Sequence, residues 1–319
     1  MAKKTVKEST RSKLQNALLT WFKLNGRNLP WRGSTDPYAI LVSEIMLQQT
    51  QVARVIPSYN RFLNSFPNIY RLAEAPLNDV VRSWAGLGYY KRAIAIREIA
   101  KRVTKDYSGS VPADPEALIT FPGIGRYTAN AVACFAFQQD LVILDTNIRR
   151  VVGRLCHGDT QVNVQLLESA ARDLLPLGNG PDWNQALMDL GATVCHPLSP
   201  RCHECPIEQF CTASDSFRRR TTAPNNKPTK SASSNKKFEG SRRYYRGRII
   251  DYLSHLDHGQ QTGLDRLGQA IKDGYSQDDI EWINATLRGL EKDGLVQIQS
   301  WRDPMNPKEN IILVSLPTD

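Results

Sequence analysis

The stretch FPGIGRYTANAV, residues 121–132, decides the fold of this 319-residue chain. It places a Pro-Gly-Ile-Gly turn between a helical stretch at residues 115–120 and an apolar helical stretch at residues 127–137. Glycine lets the chain turn tightly and leaves backbone amides exposed just ahead of the second helix. Those amides and the helix dipole favour a phosphate group, so we expect Gly123 and Gly125 to contact phosphate without reading sequence. A turn that only joins two packed helices has the same pattern.

Around this hairpin, the spacing of apolar residues is helical over most of residues 1–213. Pro, Gly or Asn marks the joins between the helical stretches. These stretches cover residues 14–24, 38–49, 55–66, 77–84, 93–103 and 166–175. Only residues 141–144, Leu-Val-Ile-Leu, resemble a strand, and they are few. The sequence therefore predicts an all-α fold for the large module.

Composition changes sharply after Cys211. Residues 214–241 are rich in Ser, Thr, Asn, Pro and Lys, which predicts a basic flexible linker between a module at 1–213 and one at 242–319. In the smaller module, three helical stretches precede two strand-like stretches at residues 295–301 and 311–314. This order resembles a winged helix, which binds DNA or docks a protein partner.

The charge of the chain is concentrated in one segment. The formal net charge is +9, and residues 214–248 carry all of it, with eleven Lys or Arg and two acidic residues. A basic segment beside neutral modules suits a polyanion such as nucleic acid, although a solvated linker has the same composition. The longest apolar run has seven residues and the first ten residues hold no apolar signal core, so we expect a cytoplasmic, nucleoid-associated protein without a membrane span.

Four cysteines cluster near the end of the large module. Cys195, Cys202, Cys205 and Cys211 have the spacing C-x6-C-x2-C-x5-C. In a chain without a secretion signal, this clustering indicates metal ligation more than disulfides. The spacing alone leaves zinc and a [4Fe–4S] cluster open, because both use four thiolates.

Several motifs together resemble one known family. FPGIGRYTANAV, ILDTNIRRVVGRL (143–155) and the cysteine loop at 195–211 resemble the helix-hairpin-helix DNA glycosylases related to endonuclease III. Within that superfamily, LPWR (29–32), SEIMLQQTQV (43–52), WAGLGYYKRA (84–93) and WNQALMDLGATVC (183–195) resemble the MutY-type adenine glycosylases. The resemblance covers residues 15–213. It implies two helical lobes with the DNA cleft between them, and a [4Fe–4S] cluster. It also implies that the protein excises adenine opposite 8-oxoguanine or guanine in duplex DNA. We expect the protein to be a monomer.

Removing adenine requires protonation of its N7 and stabilisation of a sugar cation, which two carboxyl groups in different environments can provide. Glu44 lies in an apolar helical run, where burial would raise its pKa; a solvent-facing helical glutamate is the alternative. Asp145 stands where a helix N-cap is expected. By resemblance, Glu44 is the proton donor, Asp145 stabilises the oxocarbenium-like sugar, and Asn147 lies near that charge.

Tyr127 occupies the position where bifunctional relatives have a lysine that attacks the sugar. Tyrosine cannot form the resulting imine, which predicts a monofunctional enzyme with water as the nucleophile. The same tyrosine occurs in some mismatch thymine glycosylases. A thymine or uracil mismatch glycosylase is therefore the nearest alternative, and an endonuclease III-like lyase is opposed by the missing lysine.

Five further residues match DNA-contacting positions of the family. By resemblance, Arg32 and Gln185 contact the flipped adenine and Trp31 stacks near it, while Gln49 and Tyr89 are inserted beside the opposing base. Taken singly, each is an ordinary core or surface residue.

One departure from the family concerns the C-terminus. MutY-type proteins commonly carry a NUDIX-like domain that helps to recognise 8-oxoguanine, and the tail here is too short to be one. We expect the basic segment and the winged-helix-like module to hold the DNA backbone instead. A non-catalytic iron–sulfur regulator that binds DNA is the alternative from another functional class, and it would have no need of both Glu44 and Asp145.

Overall fold

The computed structural model describes residues 8–222, 238–302 and 310–318. Within these ranges the α-helices are α1 Glu8–Asn25, α2 Pro37–Leu47, α3 Val52–Ser65, α4 Ile69–Glu74, α5 Leu77–Ser83, α6 Lys91–Asp106, α7 Pro115–Ile119, α8 Arg126–Phe137, α9 Thr146–His157, α10 Val164–Leu174, α11 Gly180–Thr193, α12 Ser214–Thr222, α13 Arg242–Ser254, α14 Leu264–Ile271 and α15 Ile280–Lys292. The strands are β1 Thr262–Gly263, β2 Gln297–Arg302 and β3 Asn310–Ser315. The predicted all-α class is confirmed.

The described residues divide into two compact units. Unit 1 contains residues 8–41, 113–120 and 124–222, and unit 2 contains residues 42–112, 121–123, 238–302 and 310–318. The C-terminal module, which the sequence assigns to a separate domain at 242–319, thus shares a compact unit with helices α3–α6. In the part of the chain that the structure describes, no helix has the length and apolar character needed to cross a membrane.

Unit 1 is built on one apolar core. Leu14 and Leu18 of α1 belong to the same cluster of buried side chains as Trp183 and Leu187 of α11. Helices α8, α9 and α10 complete this cluster with fully or nearly fully buried residues, including Ala131, Cys134, Val151, Val152, Leu155, Leu167 and Leu174. The core fixes α9 beside α11, and these two helices carry much of the candidate site described below.

Two sequence expectations for unit 1 differ from the structure. Residues 141–144 form no strand, because the carbonyl oxygens of Leu141 and Val142 accept hydrogen bonds from the side chains of Asn184 (2.9 Å) and Asn130 (3.0 Å) instead of a neighbouring strand. The segment predicted as a linker at 214–241 begins with helix α12, because Phe217 is buried and lies 4.4 Å from the guanidinium of Arg154. Residues 223–237 of that segment lie outside the described residues.

Unit 2 combines a helical lobe with the C-terminal module. In the lobe, the rings of Phe62 and Trp84 meet edge to face at 5.7 Å, and both side chains are fully buried. In the C-terminal module, helices α13–α15 pack with a three-stranded antiparallel sheet of order β1-β3-β2, in which Ile298 pairs with Val314. The sequence predicted the β2–β3 ribbon and three helices, and the structure adds the two-residue strand β1.

Charged side chains attach the C-terminal module to the lobe. Arg82 of α5 donates hydrogen bonds to the carbonyl oxygens of Ser254 (2.6 Å) and Leu256 (2.5 Å), just where α13 ends. Asp293, which follows α15, forms ion pairs with Lys91 (2.8 Å) and Arg246 (2.5 Å). Capping free carbonyls at a helix C-terminus with a cation is favourable. These contacts give the module a defined position on α5 and α6.

Candidate functional site

Glu44 is a buried carboxyl group on the apolar helix α2. The residue is 5% exposed, and its neighbours Val42, Ile45 and Met46 are at most 2% exposed. A carboxyl group in this position is removed from bulk water by the fold. The placement excludes the solvent-facing alternative for Glu44.

Asp145 caps the N-terminus of α9, as the sequence predicts. Its Oδ1 accepts a 2.6 Å hydrogen bond from the backbone amide of Ile148, and its Oδ2 accepts a 3.1 Å hydrogen bond from Asn147. Burial raises the pKa of Asp145 above its ordinary value of 3.8, and these hydrogen bonds oppose that rise. The carboxylate is thus held in one orientation and stabilised by the N-terminal end of the helix.

Arg150, which sequence reasoning did not single out, fixes the side chain of Asn147. Its guanidinium donates hydrogen bonds of 2.7 Å to the side-chain oxygen of Asn147 and to the carbonyl of Gly191, and one of 2.8 Å to the carbonyl of Cys195. A Cβ at position 191 would lie 2.6 Å from that of Asn147, so glycine permits this close approach of α11. In the sequence, the feature that could have pointed to Arg150 is the Arg149-Arg150 pair directly after Ile148.

Tyr127 lies on the first turn of α8 and packs, half-buried, against the core of unit 1. Asp145, Asn147 and Tyr127 all belong to unit 1, and Glu44 belongs to unit 2. The catalytic roles of these four residues stay predictions.

Arg32 forms a buried ion pair that the sequence reading did not anticipate. Its two terminal nitrogens donate to the two carboxylate oxygens of Asp189 at 2.5 and 2.7 Å, and Arg27 donates to the same carboxylate. Although burial raises it, the hydrogen bonds from Arg32 and Arg27 leave the pKa of Asp189 below its usual value. The guanidinium of Arg32 is therefore already bound to Asp189. The contact with the adenine base that the resemblance predicts for Arg32 would have to be made while this ion pair is kept. Trp31 and Gln185 are half-buried, and their contacts with a base stay predictions.

The hairpin at residues 121–125 has the predicted tight turn. Gly123 has a φ of +76°, a conformation that favours glycine, and its carbonyl accepts a 3.1 Å hydrogen bond from Gln48. Gly125 is the N-cap residue of α8, and a Cβ built there meets nothing within 4 Å. Free amides at an open helix N-terminus are suited to a phosphate oxygen.

Gln49 and Tyr89 share an unusual backbone conformation. Their φ angles are 55° and 49°, in the left-handed region that few residues other than glycine adopt. Such strained positions persist only where the surrounding structure holds them, and they gather at functional sites. Both residues line one cleft of unit 2, so the structure brings the two predicted wedge residues together.

Arg92, a second residue that sequence reasoning missed, holds the two loops that carry them. It is 8% exposed and donates to the carbonyls of Gln48 (2.6 Å) and Met46 (2.9 Å) and to that of Gly88 (3.1 Å). Burial lowers the pKa of Arg92 to about 10, so the group stays charged at neutral pH. In the sequence, the feature that could have pointed to Arg92 is its position as a second basic residue directly after Lys91.

The four loop cysteines lie around one cavity of unit 1. Cys195, Cys202, Cys205 and Cys211 all line it, together with Arg154 and Phe217. Burial, with a contribution from the other three cysteines, raises the pKa of Cys205 to about 12. Arg154 donates a 3.3 Å hydrogen bond to the sulfur of Cys195. A metal centre bound here would compensate the charge of the thiolates that hold it.

The cysteines supply four sulfur donors at the edge of this cavity. Among the described residues, no group of three His, Cys, Asp or Glu side chains is arranged to hold one metal ion. The donor set of four cysteines and no histidine fits both a zinc ion and a [4Fe–4S] cluster.

Comparisons with known proteins agree on one family. Residues 42–176 match the family described as HhH-GPD superfamily base excision DNA repair protein. The chain is 40% identical over 289 residues to the adenine DNA glycosylase of Mycolicibacterium smegmatis, covering 88% of this chain and 91% of that one. It is 39% identical over 241 residues to the Mycobacterium tuberculosis adenine DNA glycosylase, covering 74% of this chain and 77% of that one. Among solved structures, a thermostable thymine-DNA glycosylase superposes with a TM-score of 0.61 at 31% identity, covering 65% of this chain and 98% of that one.

Proposed function

Because the chain belongs to the adenine DNA glycosylase family of the HhH-GPD superfamily, we propose that it removes adenine from duplex DNA by hydrolysing the N-glycosidic bond. It is a DNA N-glycosylase of base excision repair. The observation that supports the proposal is that the chain has two carboxyl groups in contrasting surroundings, a deeply buried Glu44 in unit 2 and an N-capping Asp145 in unit 1.

Glu44 is the general acid in this proposal. Protonation of adenine N7 turns the base into a better leaving group, and a carboxyl group shielded from water can deliver that proton. The burial of Glu44, which is 5% exposed, supports the assignment. Once the proton has passed to N7, the C–N bond breaks and the base leaves as neutral adenine.

Asp145 is the anion that stabilises the cationic sugar. Burial raises its pKa, and the hydrogen bonds from Ile148 and Asn147 together with the helix N-terminus favour its charged form. A carboxylate that already accepts two hydrogen bonds needs no reorientation when positive charge develops on the sugar. Asn147 is a positioning residue here, because it acts on the sugar through Asp145.

Tyr127 determines which nucleophile attacks the sugar in this proposal. Since a tyrosine at this position cannot form a Schiff base, water is the nucleophile and the product is an abasic site in an intact strand. The alternative is a thymine or uracil mismatch glycosylase, which the similarity to a thymine-DNA glycosylase structure favours. The adenine DNA glycosylase of Mycolicibacterium smegmatis matches 88% of this chain at 40% identity, against 65% at 31% for the thymine-DNA glycosylase, and this supports adenine as the base.

Cys195, Cys202, Cys205 and Cys211 would hold a [4Fe–4S] cluster. When bound, the cluster supplies four metal–thiolate bonds that order the loop after α11. The cavity that all four cysteines share supports this assignment. Arg150 then links the loop to the site, since it donates both to the carbonyl of Cys195 and to Asn147.

The substrate in this proposal is duplex DNA in which adenine stands opposite 8-oxoguanine or guanine, and the protein acts as a monomer. The test is to identify the released base by mass spectrometry after incubation with duplexes that contain A:8-oxoguanine, A:G, T:G or U:G. Release of adenine alone is expected. Release of thymine or uracil would contradict the assignment.

A further inference from the structure

A fully buried carboxylate on α11 joins two arginines that lie between α1 and α2. The side chain of Asp189 is 0% exposed and forms ion pairs with Arg27 and Arg32. Each of its two oxygens accepts one hydrogen bond from each arginine, at distances from 2.5 to 2.8 Å. The carboxylate is therefore held from two sides in one orientation.

This group of three residues carries more positive than negative charge. Among the described residues, Asp189 is the carboxylate that pairs with both guanidinium groups. Although burial raises the pKa of Asp189, the hydrogen bonds from Arg32 and Arg27 leave it below its ordinary value of 3.8, so the carboxylate is ionised at neutral pH. A buried ion pair adds little to stability, because lost hydration offsets the attraction. The arrangement thus favours a role in function over a role in stability alone.

The way in which Arg32 pairs leaves one edge of its guanidinium available. Its Nη1 donates to Asp189 and to the carbonyl of Arg27 (2.8 Å), whereas its Nη2 donates once, to Asp189. Within the described part of the chain, the Nε–H and the second N–H of Nη2 have no acceptor. These two bonds lie on the same edge of the planar group and point the same way. Arg32, whose side chain is 13% exposed, thus presents a pair of parallel donors.

The neighbours of this edge are residues that the resemblance places at the base. Gln185 lies four residues before Asp189 on α11, so both side chains project from the same face of the helix. Trp31 directly precedes Arg32 in the chain. The guanidinium of Arg32 also lies 5.5 Å from the centre of the Phe22 ring, which restricts its plane. The ion pair therefore fixes Arg32 at the helix face that carries Gln185.

We propose that Asp189 is a positioning residue for adenine excision, which holds Arg32 so that the open edge of its guanidinium donates to the flipped adenine. The inference rests on the proposed function, because it takes adenine as the base that Arg32 contacts. Adenine offers unprotonated ring nitrogens as hydrogen-bond acceptors. An arginine that a carboxylate already holds loses little conformational freedom when the base enters. Asp189 acts on the base only through Arg32.

The test uses the full-length protein and two duplexes. One contains 2′-fluoro-2′-deoxyadenosine, which keeps the base but resists cleavage, and the other contains an abasic-site analogue, which has no base. We expect Asp189→Asn to raise Kd for the fluorinated duplex by about tenfold and to leave Kd for the abasic duplex unchanged. Single-turnover excision of adenine should fall by about tenfold or more. Asp173→Asn, at an exposed aspartate of α10, is the control and should change none of these values.

A double-mutant cycle separates positioning from a purely structural role. In an Arg32→Ala background, Asp189→Asn should lower the excision rate no further, because the residue through which Asp189 acts is absent. Arg27→Gln is the second variant, in case Asp189→Asn does not fold, because the side chain of Arg27 is 30% exposed. It weakens the hold on Asp189, and we expect the same pattern with smaller changes.

Equal weakening of binding to both duplexes, or additive losses of rate in the double variant, would overturn the positioning role. Adenine release by the wild type together with a wild-type excision rate for Asp189→Asn refutes this inference alone. A loss of affinity confined to the base-containing duplex, in a protein that releases no adenine, refutes the proposed function alone.

Discussion

Arg92 donates a 2.6 Å hydrogen bond to the carbonyl oxygen of Gln48, the residue before Gln49. The same guanidinium donates to the carbonyl of Gly88, the residue before Tyr89. One buried cation thus holds both strained loops at the base of the wedge residues. The two residues predicted to form the wedge are therefore preorganised, and in that role they would cost less ordering when DNA binds.

The first prediction concerns this cation. Arg92→Met leaves several buried carbonyl oxygens without a donor, and we expect it to lower the free energy of unfolding by about 3 kcal/mol. Arg71→Met, at an exposed arginine of α4, should change it by less than about 0.5 kcal/mol. Urea unfolding of the two variants measures the difference. Equal stabilities would show that Arg92 does not hold the loops.

Glu44→Gln tests the general acid. The amide keeps the size of the side chain but cannot protonate N7, so single-turnover adenine excision should fall by about 10²–10⁴-fold while DNA affinity is retained. Glu74→Gln, at the exposed end of α4, is the control and should excise adenine at the wild-type rate. Full activity of Glu44→Gln would remove Glu44 from the chemistry.

Asp145 gives the reaction a dependence on pH. The carboxylate must be ionised to stabilise the sugar cation, so activity is lost as the pH falls through its pKa, which burial places above 3.8. Asn147→Ala removes a hydrogen bond that favours the charged form, which raises the pKa further and moves the acid limb of the pH–rate profile to higher pH. A uniform drop in rate with an unmoved acid limb would mean that Asn147 has another role.

Borohydride trapping tests the role of Tyr127. The wild-type protein should form no covalent adduct with abasic DNA in the presence of borohydride, because it has no amine at this position. Tyr127→Lys places an amine there and should yield a trapped adduct. Trapping of the wild-type protein would contradict the monofunctional mechanism.

If the four loop cysteines bind the cluster, the iron content and the thermal stability of the protein should fall together when one of them is replaced. Cys202→Ser removes one thiolate, and we expect loss of iron together with a fall in Tm of roughly 5 °C or more. Cys156→Ala, at a half-buried cysteine that does not line the cavity, should retain its iron. Iron analysis and thermal unfolding of both variants measure this. A Cys202→Ser protein with full iron content would exclude Cys202 as a ligand.

Much of the fold could be read from the sequence, because helical periodicity and helix-ending residues are local signals. The Pro-Gly turn before α8 and the cap at Asp145 are of this kind, and both are confirmed. The sequence did not indicate which residues pair with each other when they lie far apart in the chain. Arg32 was expected at the base, yet its pairing with Asp189 joins residues 157 positions apart. Residues 141–144 resemble a strand, but side-chain amides satisfy their carbonyls.

The C-terminal module illustrates the same limit. Its helices and ribbon follow from local patterns, whereas its attachment to α5 and α6 depends on Arg82 and Lys91, which lie more than 150 residues earlier in the chain. No local signal identifies such partners. The basic composition of residues 214–248 did indicate a polyanion, and the structure places Arg243 from that segment in a basic cleft.

The most direct test of the central claim is single-turnover cleavage of duplexes with A:8-oxoguanine, A:G, T:G and U:G, each analysed with and without alkali. Alkali breaks a strand only at an abasic site, so it separates base removal from strand cleavage by the enzyme. The account predicts breaks in the adenine-containing strands alone, and only after alkali. Breaks at T:G or U:G, or breaks without alkali, would contradict it.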